Sequence, residues 1–177
     1  KRTLVRMLIC CVIALLFCIT GNAKVPYIPK IINYSVSDYK AGNQNWAVSQ
    51  GPGGKMYIGN NRGLLVFDGI HWDLVKLPNN LGVRALYISK DGRIYVGSFE
   101  EFGYFEMDDE NDLIYHSLSS SEMNVYLNND EFWTINEYKG EIYFQSFRSF
   151  FIYDGEKVRK GGPHLSPFYI STLDDHL

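Results

Sequence analysis

The stretch Gly54–Gly69, GKMYIGNNRGLLVFDG, is answered at Gly92–Glu106 by GRIYVGSFEEFGYFE, and again, less closely, at Glu141–Gly155 by EIYFQSFRSFFIYDG. Each copy sets a tyrosine in a short β-branched run, follows it with a polar turn, and closes on a second apolar run ending in an aromatic residue and an acid. Counting outward, Trp46, Arg84 and Phe132 each stand 11 residues before the tyrosine (Tyr57, Tyr95, Tyr143), and Phe67, Phe105 and Tyr153 each stand 10 after it. The copies recur after 38 residues and then 48, the added length lying in the polar segment SLSSSEMNVYLNNDE. Self-similarity at such a period marks a repeat architecture, in which insertions fall in loops between modules.

Within each module, runs rich in Val, Ile, Tyr, Phe and Leu alternate with Gly, Asp and Asn, the pattern of strands and tight turns. SKDGR, GPGGK and EYKGE occupy the same hairpin position, where glycine supplies the positive backbone angle. Four antiparallel strands in 40–50 residues predict a β-propeller blade. The expected fold is all-β: blades over 44–80, 83–120 and 131–160, then the first strand of a fourth within 168–177. Residues 24–43 read as a linker or a ring-closing strand. First strands are expected to line the axis and fourth strands the rim, with Tyr57, Tyr95 and Tyr143 packed between blades. Three blades fall short of the four to eight that close a ring, so further blades are expected elsewhere in the protein.

The opening residues are a basic stretch, the apolar run MLICCVIALLFCIT and then GNA, the plan of a signal peptide over 1–23 with cleavage after Ala23. The run is shorter than the roughly 20 residues of a spanning helix. Cys10, Cys11 and Cys18, the three cysteines of the chain, would leave with this leader, so the exported part would hold neither a disulfide nor a thiolate metal site. Losing Lys1, Arg2 and Arg6 takes the net charge from −3 to −6, which argues against nucleic acid as a partner.

No nucleophile elbow, phosphate loop or dinucleotide fingerprint occurs in the sequence. His71, His116, His164 and His176 are not at ligand spacing, and the acidic run beginning at Asp108 lacks the glycine and terminal glutamate of a calcium loop, so neither metal nor cofactor is expected. Glu100 and Glu101 are adjacent on a strand or turn and cannot flank a sugar as a glycosidase pair. The reading is of a non-catalytic binding module. The loops joining second to third strands, and those joining blades, are expected to share one face around the axis. That places Asn60, Asn61, Arg62, Glu100, Glu101 and Arg148 there, with Trp46, Arg84 and Phe132 at the starts of inner strands. Planar aromatics beside amide and guanidinium groups suit sugars or other polar small ligands.

The phrases GNNRGLLVFDG and GRIYVG…EFGYFE, with QNWAVSQ before them, resemble the two-component regulator propeller repeats of Bacteroidetes sensors. The likeness is best to the branch in which the propeller precedes a triple-tyrosine domain, a transmembrane helix and a LuxR-type helix-turn-helix; hybrid histidine kinases share the propeller. The third unit departs from the pattern, Gln145 standing where Gly59 and Gly97 stand in the others. The resemblance implies a periplasmic sensing head that takes a small molecule or glycan, in a protein anchored in the inner membrane, with missing blades and the triple-tyrosine domain as its partners in the same chain. The reading from another class is a secreted propeller enzyme, a lyase or a glycosidase.

Overall fold

The computed structural model describes residues 2–3, 5–6, 29–127 and 129–162. The chain divides into two units, Lys1–Asn33 and Tyr34–Leu177. In the first, the described positions 2–3 and 5–6 are helical. The rest of the expected leader, its cleavage point and the strand expected within 168–177 lie outside the described residues.

The second unit holds three four-stranded antiparallel sheets, each a simple meander built from one contiguous piece of sequence. Sheet one is β1 (Asn45–Gln50), β2 (Met56–Asn60), β3 (Gly63–Phe67) and β4 (Trp72–Val75). Sheet two is β5 (Ala85–Ile88), β6 (Ile94–Gly97), β7 (Phe102–Met107) and β8 (Leu113–Ser117). Sheet three is β9 (Phe132–Tyr138), β10 (Glu141–Ser146), β11 (Phe150–Tyr153) and β12 (Val158–Lys160). Inner strands β1 and β5 lie side by side, as do β5 and β9, so the sheets fan as successive blades of a propeller. The turns follow the expected chemistry: Gly92 has φ 91°, and the two-residue Lys139–Gly140 turn has φ 51° and 82°.

Because side chains alternate across a strand, each blade presents two apolar faces, and the ladders show which residues correspond. Met56, Tyr95-like Tyr57 and Ile58 oppose Phe67, Val66 and Leu65; the same pairings recur as Ile94–Phe105 and Tyr95–Tyr104, and as Ile142–Tyr153 and Tyr143–Ile152. Tyr57, Leu64 and Val66 of blade one pack on Ile94, Val96 and Phe105 of blade two. Tyr95 and Phe102 of blade two pack on Ile142, Phe144, Phe151 and Tyr153 of blade three. The repeated tyrosines at 57 and 95 therefore lie between blades, as their period implied.

Two junction devices recur with these faces. Gly59 and Gly97 admit the incoming chain of the next blade: a Cβ would lie 2.9 Å from the Val83 side chain at the first and 2.7 Å from the Cβ of Phe132 at the second. The next residue along, Asn60 or Ser98, is fully buried. Asn60 Nδ2 donates to the carbonyls of Gly42 (2.7 Å) and Gln44 (3.1 Å), and its Oδ1 accepts from Gly42 and Arg62 amides; Ser98 Oγ donates to the Gly82 carbonyl. Ser146 fills the same place in blade three, bonded to Asp130 and to the Ser149 carbonyl. Each side chain ties down the segment that enters a blade.

Residues 29–43 form no strand within this chain. A one-turn helix, Val36–Tyr39, is started instead by Ser35, whose amide donates to Asp38 Oδ2 at 2.6 Å. Tyr39 packs with Ile58 and Leu65 on blade one, and the Tyr34 ring meets those of Phe67 and Trp72 at 5.1 and 5.3 Å.

The turns between third and fourth strands use one aspartate each. Asp68 Oδ1 accepts from the amides of Ile70 and His71, Asp154 Oδ1 from Glu156 and Lys157, and Asp108 Oδ1 from Glu110 and Asp112. The acidic run at 108–112 is thus a β7–β8 turn. The amides of His71 and Ile70 hold the Asp68 carboxyl down at about 2, against an ordinary value near 3.8. A lowered folded-state pKa means that folding favours the ionised form: this contribution is present above the ordinary value and is lost as pH falls toward about 2. Asp68→Asn is expected to lose less thermal stability than the parent between about pH 5 and pH 2. An identical loss in a melting series would show that this turn does not contribute.

Candidate functional site

Two of the inner strands, β1 and β9, carry a bulge near their first residues. In β1 the register jumps between Asn45, opposite Asn60, and Ala47, opposite Gly59, so Trp46 stands out of the ladder. In β9 the jump is between Phe132, opposite Ser146, and Thr134, opposite Gln145, so the residue standing out is Trp133. In β5, Ala85 pairs with Gly97 and Arg84 precedes it. Trp46, Arg84 and Trp133 are therefore the corresponding positions of three successive blades, and they meet.

The Arg84 guanidinium lies 4.8 Å over the Trp46 ring and 6.0 Å from that of Trp133, and the two indoles meet edge to face at 5.5 Å. Asn61, on the β2–β3 hairpin, binds the group together: its Oδ1 accepts from Trp46 Nε1 at 2.6 Å and from Arg84 Nη1 at 2.8 Å, while its Nδ2 donates to Gln44 Oε1. Glu131 Oε1 lies 3.4 Å from Arg84 Nε and balances its charge. Phe147, on the β10–β11 hairpin, extends the aromatic surface with its ring 5.9 Å from Trp133. Trp46 is 41% exposed and Phe147 58%, so this is an open aromatic surface and not a packed junction. Beneath it, the Trp133 indole N–H is buried and meets no acceptor among the described residues. Aromatic rings set edge to face and tilted, a half-buried guanidinium and an amide together offer an apolar platform edged by hydrogen-bonding groups.

Of the residues expected at this site, Trp46, Asn61 and Arg84 come together. Arg62 and Arg148 are exposed on the neighbouring hairpins of blades one and three. Asn60 is inside, holding the entry to its blade. Phe132 is fully buried among Phe102, Phe144 and Phe151, a correction to its expected place beside the axis. The reason is a hairpin: Ile88 and Ile94 enclose five residues, whereas the corresponding pair Glu137 and Ile142 encloses four, which moves the axial position from 132 to 133. Glu100 turns at φ 53° and accepts from the Asn129 amide. Glu101 points along its own blade, accepting from Tyr115, Ser117 and Ser119 hydroxyls. Burial and that carboxylate push the Tyr115 phenol well above its ordinary range. Trp133, Glu131 and Phe147 were missed by spacing alone, and EYKGE, equal in length to SKDGR and GPGGK, gave no signal of the shift to Trp133.

No family model matches the chain, and no curated protein matches it either. Among solved structures, the extracellular domain of a one component system from B. thetaiotaomicron superposes with a TM-score of 0.59 at 12% identity, over 74% of this chain and 18% of that one. The extracellular domain of a hybrid two component system from the same organism gives 0.53 at 19% identity, over 76% and 18%. Virginiamycin B lyase from Staphylococcus aureus, as a catalytically inactive variant with quinupristin, gives 0.55 at 17% identity, over 78% and 47%. The chain thus spans less than a fifth of the two ectodomains and less than half of the lyase. At these identities the likeness is one of fold: the chain is a sector of a β-propeller.

Proposed function

We propose that this chain is part of the periplasmic, ligand-sensing propeller of a membrane-anchored signalling receptor of the two-component regulator propeller kind. The output in this reading lies downstream, beyond a triple-tyrosine domain, as a LuxR-type helix-turn-helix, and the propeller itself is non-catalytic. The observation that carries it is the convergence of Trp46, Arg84 and Trp133 from three blades on one open surface, with Asn61 fixing two of them. The ectodomains named above support the receptor class. The ligand is a small molecule or glycan whose apolar face covers Trp46 and whose polar edge meets Arg84 and Asn61.

In the full receptor, Arg84→Ala is expected to shift the dose response by roughly tenfold to a hundredfold, the scale of a hydrogen bond to a charged group. Receptor abundance should be unchanged. A companion measurement uses the 177-residue chain carrying Trp72→Phe, in which Trp46 and Trp133 are the remaining tryptophans, titrated with a panel of neutral and acidic oligosaccharides; binding should change their fluorescence. An unaltered dose response together with an unaltered spectrum would remove this surface from the site. The likeness to the lyase sustains a second reading, a propeller enzyme, which predicts product release from the panel where the receptor predicts binding alone.

A further inference from the structure

The correspondence of faces assigns a surface that the axial cluster does not use. In blade two, Leu86, Ile94, Val96 and Phe105 form the face that receives blade one; in blade three, Ile135, Ile142, Phe144 and Tyr153 form the face that receives blade two. The same ladder positions in blade one are Val48, Met56, Ile58 and Phe67. This is the face on which the blade preceding blade one in a closed ring would seat.

Its two halves differ. On the outer half, Tyr39 and Ala41 pack with Ile58, Met56, Phe67, Trp72 and Leu74, and Leu65 beneath them is fully buried. On the inner half nothing of the kind among the described residues covers Val48, which is 66% exposed where its counterpart Ile135 is 7% exposed. We propose that residues 34–41 are a fixed strap over the outer half of the ring-closing face, and that the blade closing the ring seats on the inner half around Val48. The closing blade would present there the face that blades one and two present to their successors, a second-strand tyrosine flanked by third-strand apolar residues. Closure then buries the strap as a wedge between two blades and does not displace it. The inference rests on the reading that the chain continues into further propeller blades.

The test uses single cysteines, in a background with Cys10, Cys11 and Cys18 changed to serine, in the 177-residue chain and in the protein extended through its downstream blades. Val48→Cys should react freely with a maleimide in the shorter chain and at least about tenfold more slowly in the longer one, as expected when an exposed site becomes a packed contact. Ala41→Cys should react slowly in both, and amide exchange at Tyr39–Ala41 reads the same point without substitution. Equal reactivity of Val48→Cys in the two proteins would overturn the seating. Faster reaction of Ala41→Cys in the longer protein would show that the strap is displaced, and concentration-dependent protection of Val48→Cys in the shorter chain would make a second copy the occupant; either result overturns the proposal. None of these readouts involves a ligand, so they stand or fall apart from the Arg84 dose response.

Discussion

Phe102→Ala is expected to be the most damaging single truncation in the chain, lowering stability by about 3–5 kcal/mol, the range for removing a fully buried aromatic side chain. Phe102 is wholly buried, and its ring lies 4.7 Å from those of Phe132 and Phe144 and 5.2 Å from that of Phe151. Those three partners belong to blade three and Phe102 to blade two, so the cavity would open at the junction and not inside one sheet. Rigid strands on both sides cannot close it without moving a whole blade, which keeps the cost near the top of the range. For a chain of this length the loss corresponds to a fall in melting temperature of roughly 6–20 °C. Thermal melts of parent and variant measure it directly. A fall of a degree or two would mean that the blades collapse onto the gap, and that the junction is softer than its packing implies.

Gly97→Ala is the second. It adds one carbon, yet that carbon would sit 2.7 Å from the Cβ of Phe132 and 3.0 Å from the Phe132 carbonyl oxygen. Neither neighbour is the free end of a flexible side chain, so the entering strand of blade three has to shift. The expected cost is about 1–3 kcal/mol, as for overpacking a filled core. Gly162→Ala is the control: among the described residues no atom lies within 4 Å of its Cβ position, and its stability should change by no more than about 0.5 kcal/mol. Urea midpoints of the two variants decide the matter, and equal midpoints would show that the close approach at Gly97 is not limiting.

That glycine position is also where the third unit departs from the repeat. Gly59 and Gly97 are required by the chain that enters the following blade, at Val83 and Phe132 respectively. Gln145 has the corresponding place in β10, where it is 3% exposed. Strand type, blade number and the tyrosines at 57 and 95 were legible because they depend on alternation and period, which are local. Trp133 was not, because one residue fewer in a hairpin shifts what faces the axis without altering the apolar rhythm. Asn60 and Glu101 read as loop polar groups, and only the incoming segment at Gly42–Gln44 and the outer strand β8 show where their hydrogen bonds go. The strap at 34–41 has no counterpart in the other units, so periodicity had no purchase on it.

Each blade draws its four strands from an unbroken stretch of chain, and each junction brings its own latch, Val83 N–H to the Asn60 carbonyl and Phe132 N–H to the Ser98 carbonyl. Copying or deleting a whole stretch therefore adds or removes a wedge together with the bonds that seat it, and leaves every other sheet's ladder complete. Ring size in such a molecule is open to change by duplication in unit steps, limited by whether the last wedge still meets the first.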